Sequence, residues 1–185
     1  MSAFLCGSHH IADILYLVMI KVSFNTKRKG VIVETGIMYE LQKLGLSVSK
    51  PEGDNEPYDL ILDIRTDKGN FLKKIQCKSA KVYGSSICIS ARSTNYKGGK
   101  ISNHYYCSSD IDYFATIYNN IPILLPIEEF SGYKGKITLR IGDKINNPNC
   151  IYAKDYVLRQ VLVRQFGEFK EIESDFSWVS QNKKI

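Results

Sequence analysis

The chain has 185 residues, 44% hydrophobic and 24% charged, the balance of an ordinary globular protein with enough apolar material for one domain and a real core. Five cysteines, an odd number with no C-x-x-C pair, argue against both a zinc site and a disulfide framework, and fit a reducing, cytoplasmic setting. A formal net charge of +6 favours a polyanionic partner, nucleic acid before membrane.

Residues 1–22 contain one apolar run, Ile14-Leu15-Tyr16-Leu17-Val18-Met19-Ile20, too short to span a bilayer. It lacks the basic n-region and the small-residue cleavage site of a signal peptide. This N-terminal extension is either a short element packed on the core or weakly structured sequence ahead of Met19. A helix is expected from Asn25 or Thr26, either of which can cap it, to Leu44, where Gly45 ends it. Glu34, Ile37, Met38, Leu41 and Leu44 follow the spacing of one helix face, which puts Glu34 on the buried stripe, away from Lys29, Glu40 and Lys43. An acid there is either paired or functional.

Leu46 to Ser49 reads as a short strand, and Pro51 to Pro57 as a loop of turn formers. Tyr58 to Ala80 is the stretch around which the chain is organised: two arms of strand composition joined by Thr66-Asp67-Lys68-Gly69-Asn70. Alternation puts Tyr58, Leu60, Leu62 and Ile64 on one face of the first arm and Asp59, Ile61 and Asp63 on the other. In the second arm Ile75 and Cys77 point one way, and Lys74, Gln76 and Lys78 the other. A carboxylate, an amide and an ammonium therefore converge on one side of a largely apolar hairpin, and desolvating charge is costly unless something compensates.

Val82 to Ser90 is expected as one strand, with Ile87, Cys88 and Ile89 at its centre. Ala91 to Ser109 is the longest polar segment, with Arg92, Lys97, Lys100 and His104 interleaved with Tyr96, Tyr105 and Tyr106 around Gly98-Gly99. As a loop it suits contacts with phosphates and bases, or is simply a solvated surface segment. Ile111 to Tyr118 and Ile121 to Ile127 form a second hairpin around Asn119-Asn120, with Asp112 in a structural role. Lys136 to Ile141 is a last strand, Tyr152 to Phe169 an amphipathic helix, and Phe176 and Trp178 in the polar tail are candidates for docking.

A helix with an inward Glu34, a strand with Asp59, and a strand ending in Gln76-Cys77-Lys78 resembles, in that order, the PD-(D/E)XK nucleases, and within them the group I intron-associated homing endonucleases. Asn25 to Gly30, Gly53-Asp54-Asn55, Asp110 to Ala115 and Leu125 to Glu128 extend the match over roughly residues 24–130. Two departures stand out. Pro57 precedes Asp59 by two residues, whereas the name motif puts proline directly before the acid, and Gln76 stands where most members carry Asp or Glu. The intron-associated branch is known for glutamine there.

The resemblance implies an α/β, restriction-endonuclease-like core, a central mixed β-sheet flanked by α-helices, over residues 23–148, with 149–185 a helical segment for DNA contact or oligomerisation. It implies a Mg²⁺-dependent endonuclease, Mn²⁺ being able to substitute, that hydrolyses double-stranded DNA at a specific site as a homodimer or homotetramer. A restriction endonuclease or Holliday-junction resolvase on the same core, and a DNA-binding protein whose cleavage has decayed, are the alternatives. The implied catalytic residues are Glu34, Asp59, Gln76 and Lys78. The Asp59 carboxylate, the Gln76 side-chain oxygen and the Cys77 backbone carbonyl would bind the metal, and Glu34 a metal-bound water or a second ion. Lys78 would orient the attacking water and offset phosphate charge. Asp63, about 13 Å along the strand from Asp59 at ~3.3 Å per residue, stays outside this set. Lys81, Arg92, Tyr96, Lys97, Lys100 and His104 are the expected DNA contacts.

Overall fold

A computed structural model describes residues 26–53, 55–130, 132–133 and 135–168. The expected extension 1–22, the cap at Asn25, Asp54 and the tail with Phe176 and Trp178 lie outside the described residues.

The hairpin forms as the alternation requires. β2 (Leu60–Thr66) and β3 (Gly69–Cys77) pair antiparallel, Leu60 opposite Ile75 and Thr66 opposite Gly69, after a short β1 (Ser47–Ser49) that pairs with the outer edge of β2. Only Asp67-Lys68 is left to turn, so the connection is tighter than the five residues read from the sequence. Leu60, Leu62, Ile64 and Ile75 have no exposed surface. On the opposite side Asp63 pairs with its neighbour Arg65 at 2.8 Å, apart from the acids discussed below. β8 (Tyr113–Tyr118) lies parallel to β3, and β9 (Ile121–Pro126) returns antiparallel, giving a mixed sheet in the order β1-β2-β3-β8-β9. Asn119 and Asn120 turn this second hairpin with φ of 48° and 62°, left-handed values that asparagine tolerates in two-residue turns.

Helices cover one face of the sheet. In α1 (Thr26–Lys43) the residues Val33, Ile37 and Leu41 are buried, and Gly45, at φ 75°, ends the helix as expected. Gly36 lets α1 come close: a Cβ there would lie 2.5 Å from Ile117 Cδ1 of β8. α3 (Leu158–Phe166) joins the same core through Leu158, Val161 and Leu162. Each fully buried aliphatic side chain here stabilises by about 1.5–3 kcal/mol relative to exposure. The opposite face is covered by a three-stranded sheet, β10 (Lys136–Arg140), β5 (Ser86–Ser90) and β4 (Lys81–Tyr83), and by the single turn α2 (Ile127–Phe130). Ile87, Ile89, Ile137, Leu139 and Phe130 meet Phe114, Ile123 and Leu125 there.

Three segments differ from expectation. Val82 to Ser90 is not one strand: Gly84, at φ 55°, turns with Ser85, so Tyr83 pairs with Ser86 and β4 folds back on β5. The segment 91–109 is not a loop but largely a ribbon, β6 (Arg92–Lys97) and β7 (Lys100–Tyr105), closed by Gly98 and Gly99 at φ 58° and 78°. All of β7 is exposed, and a strand wetted on both faces carries no hydrophobic alternation. The helix expected from Tyr152 to Phe169, whose last residue lies outside the described residues, is broken into a 3-10 turn (Ala153–Tyr156) and α3, because Val157 is extended (ψ 127°) and bridges Ile123 of β9. Among the described residues no helix is long and apolar enough to cross a membrane.

Candidate active site

Asp59 stands one residue before β2, and its N–H donates to Ile75 O at 2.9 Å. The register therefore sets it beside Gln76 and Cys77 at the end of β3, and Lys78 follows, tied to β8 by its N–H to Ala115 O at 2.8 Å. With Leu60 and Ile75 turned into the helical core, the polar members of both strands meet on the other side. Asp59 Oδ2 accepts the Cys77 N–H at 2.7 Å and a hydrogen bond from Gln76 Nε2. Gln76 Nε2 also donates to Cys77 O at 3.3 Å. At the other end of the carboxamide, Tyr106 donates its hydroxyl to Gln76 Oε1 at 3.0 Å and accepts from Lys78 Nζ at 3.0 Å.

Glu34 reaches the same cleft from α1, its carboxylate 2.7 Å from Lys50 Nζ. Its side chain is 21% exposed, so the stripe carries it inward and not into bulk solvent. The cleft encloses about 950 Å³, and Glu34, Lys50, Asp59, Gln76, Lys78 and Tyr106 all line it. Burial raises the Asp59 pKa above the ordinary carboxylate value; the Cys77 N–H opposes this, the negative charge of Glu34 adds to it, and Lys78 and Lys50 oppose it. Burial, with Asp59 and Glu34 nearby, also pushes the Cys77 thiol well up. That side chain is a neutral member of the helical core, and Cys77 faces the cleft through its backbone. The hydrogen bond to Glu34 raises the Lys50 pKa.

Among the described residues no three His, Cys, Asp or Glu side chains converge as a metal cluster. The donors that do gather are oxygens: two carboxylates, one carboxamide and one backbone carbonyl, the hard set that Mg²⁺ prefers. The Gln76 NH₂ group bonds both Asp59 Oδ2 and Cys77 O, so a partial positive charge already bridges two oxygens that a small cation could share. The residues present fit a divalent ion.

The residues expected to contact DNA fall in three places. His104 borders the cleft and bonds Asp110 at 3.0 Å. Lys81 and Arg92 line a separate groove of about 330 Å³ with Lys136 and Tyr83. Tyr96, 74% exposed, and Lys100 lie toward the ribbon's tip. The backbone of Lys97 pairs with Lys100, and its side chain is outside what the structure describes. Asp112 is structural, as expected, accepting from Lys73 Nζ and the Lys74 N–H at 2.8 Å each. Sequence reasoning missed Lys50 and the link from Tyr106 to Gln76. Tyr106 stood out only as one aromatic residue in a basic segment, and Lys50 carried no signal.

A sequence profile of the PD-(D/E)XK endonuclease family matches residues 24–159. Among solved structures the chain is similar to the bacterial homing endonuclease I-Ssp6803I, with 26% identity and a TM-score of 0.63 over 77% of this chain and 95% of that one. No curated protein matches the chain.

Proposed function

The chain belongs to the PD-(D/E)XK endonuclease family, and from that premise we propose that it cuts double-stranded DNA at a specific site with the help of Mg²⁺, as a homing-type enzyme. The observation that carries this reading is the convergence of Glu34, Asp59, Gln76 and Lys78 on one cleft, with a hydrogen-bond donor standing where oxygen ligands could share a cation. Asp59, the Gln76 oxygen and the Cys77 carbonyl would hold Mg²⁺, with Mn²⁺ able to substitute. When bound, the ion would supply Lewis acidity to offset charge on the scissile phosphate. Lys78 brings its ammonium into the same cleft to hold a phosphate oxygen and orient the attacking water. Glu34, held by Lys50, would bind a metal-bound water or a second ion.

The β6–β7 ribbon suits the DNA. A major groove about 12 Å wide admits a two-stranded ribbon, and cationic residues on it can take phosphates while Tyr96 meets bases. Residues 23–148 then form the cutting core. Residues 149–185, of which α3 packs on the helical core, serve DNA contact or a second copy. One cleft per chain requires at least a homodimer to cut both strands. The cysteines described are unpaired, which suits a cytoplasmic enzyme.

Selection from a randomised duplex library, with and without Mg²⁺, tests the reading. Wild type is expected to cut linear duplex, and Lys78→Ala to lose about 10²–10³-fold in rate while still binding DNA. Wild type that binds duplex yet never cuts with Mg²⁺ or Mn²⁺ would overturn it in favour of a binding protein. Preference for four-way junctions would favour a resolvase.

A further inference from the structure

We propose that Tyr106 is the positioning residue of this cleft: its hydroxyl, held between Lys78 and Gln76, can pair with either end of the Gln76 carboxamide and so lets the oxygen end turn toward Asp59 when the site takes a cation. The proposal rests on the nuclease reading above. A carboxylate has two equivalent oxygens, whereas a carboxamide has one acceptor end and one donor end. A chain with glutamine at this position therefore needs a neighbour to orient it, which an acid would not.

Tyr106 is built for that task. The residue is 8% exposed, and its ring meets Phe114 edge-on at 5.4 Å and His104 edge-on at 5.2 Å, so the hydroxyl has little freedom to move. Lys78 Nζ sits 3.0 Å from that hydroxyl and 4.7 Å from the ring centroid, held by a hydrogen bond and by the ring's π face. In the arrangement seen, the hydroxyl donates to Gln76 Oε1, and the NH₂ group is on Asp59 and the Cys77 carbonyl.

A phenol can accept as well as donate. If the carboxamide turns half a revolution about its last bond, Nε2 donates to the Tyr106 hydroxyl and Oε1 joins the oxygens of Asp59 and Cys77. The hydroxyl then accepts from both Gln76 and Lys78, and its own proton is free to turn into the cleft toward a phosphate oxygen. One hydroxyl thus supports both arrangements and keeps the ammonium in place in each. Phenylalanine would preserve the ring contacts and support neither.

The test uses the full chain, with Mn²⁺ binding followed by calorimetry in the absence of DNA, alongside cleavage of a selected duplex. Tyr106→Phe is expected to weaken Mn²⁺ binding and slow cleavage by about 10–100-fold each, with metal-free DNA binding unchanged and the melting temperature lowered by only a few degrees. The discriminating measurement repeats the substitution in a Gln76→Glu background. A carboxylate has no end to choose, so the Tyr106→Phe effect on Mn²⁺ should shrink several-fold in that cycle. An equal effect in both backgrounds, or none in either, overturns the proposal while leaving the nuclease reading intact. Wild type that neither binds Mn²⁺ nor cuts DNA overturns both. Should Tyr106→Phe fail to fold, Gln76→Glu alone decides: Mn²⁺ affinity at or above wild type is expected, and a fall overturns the proposal.

Discussion

The floor of the cleft and the β6–β7 ribbon adjoin each other in space, since Ser93 and His104 at the ribbon's base line the cleft with Asp59 and Gln76. The floor is set on β2, β3 and β8, where Leu60 and Ile75 have no exposed surface and Phe114 is 1% exposed. Its polar groups are bonded to one another in a chain that runs from Asp59 through Gln76 and Tyr106 to Lys78. The ribbon has no such backing. Every position of β7 is exposed, Tyr96 and Ile101 stand in solvent, and Thr94 Oγ1 donates across the ribbon to Asn103 Oδ1 on its wetted surface. Chemistry that needs groups held to within a fraction of an ångström belongs on the first kind of scaffold. Fitting a duplex belongs on the second, where few buried contacts resist local adjustment.

The largest expected effect breaks the floor and leaves the ribbon intact. Asp59→Asn should slow cleavage by about 10³-fold, the scale of losing one electrostatic group at a reacting centre, with DNA binding unchanged. The same variant should not unfold the chain. Because burial raises the Asp59 pKa in the folded state, its linked stability is fully present below the unfolded value and is lost as pH rises through the folded one. At neutral pH the ionised carboxylate is then a cost, and the asparagine variant should melt at or above the wild-type temperature. Lower melting would show that this acid is structural.

The complementary experiment breaks the ribbon and leaves the floor. Ser93 pairs with His104, so replacing residues 94–103 by Asn-Gly closes a two-residue hairpin at that level. Duplex affinity should fall by about 10²-fold, a few kcal/mol of groove contacts, read by titration at fixed salt. Thermal unfolding should stay within a few degrees of wild type. A large loss of stability would mean that the ribbon is part of the core after all.

The same contrast explains what could be read from the sequence. Leu60, Leu62 and Ile64 announce their strand because one face is dry, and the stripe of Ile37, Leu41 and Leu44 announces α1 for the same reason. From those two periods follow the sidedness of Asp59 and Gln76 and the inward placement of Glu34. Where no face is dry the signal vanishes, and β6–β7 read as loop although Gly98-Gly99 was a hairpin signal in plain view. Val82 to Ser90 misled in the opposite way, its apolar centre hiding the turn at Gly84. The bond between Tyr106 and Gln76 spans 30 residues and exists only because the strands that carry the site bring the two together. No local pattern encodes it, and the same holds for Lys50 on Glu34.

Asp110 offers the finest test of the boundary between the two regions, because it ties the base of the ribbon to the turn that leads into β8. Its Oδ2 accepts from the Cys107 N–H and His104 Nε2 at 3.0 Å each, and from Cys107 Sγ at 3.3 Å. Burial alone would raise its pKa; the bonds from Cys107 and His104 outweigh burial, and the net direction is down. A depressed folded pKa contributes stability that is present above the unfolded value and is lost as pH falls through the folded one. Asp110→Asn should therefore cost about 1 kcal/mol near pH 7, the scale of one net hydrogen bond, measured from urea midpoints. The difference should shrink as the pH drops below the ~3.9 of an unfolded aspartate. A difference that stays constant into acid would mean that asparagine fails for its shape and not for its missing charge, and the tie would then be steric.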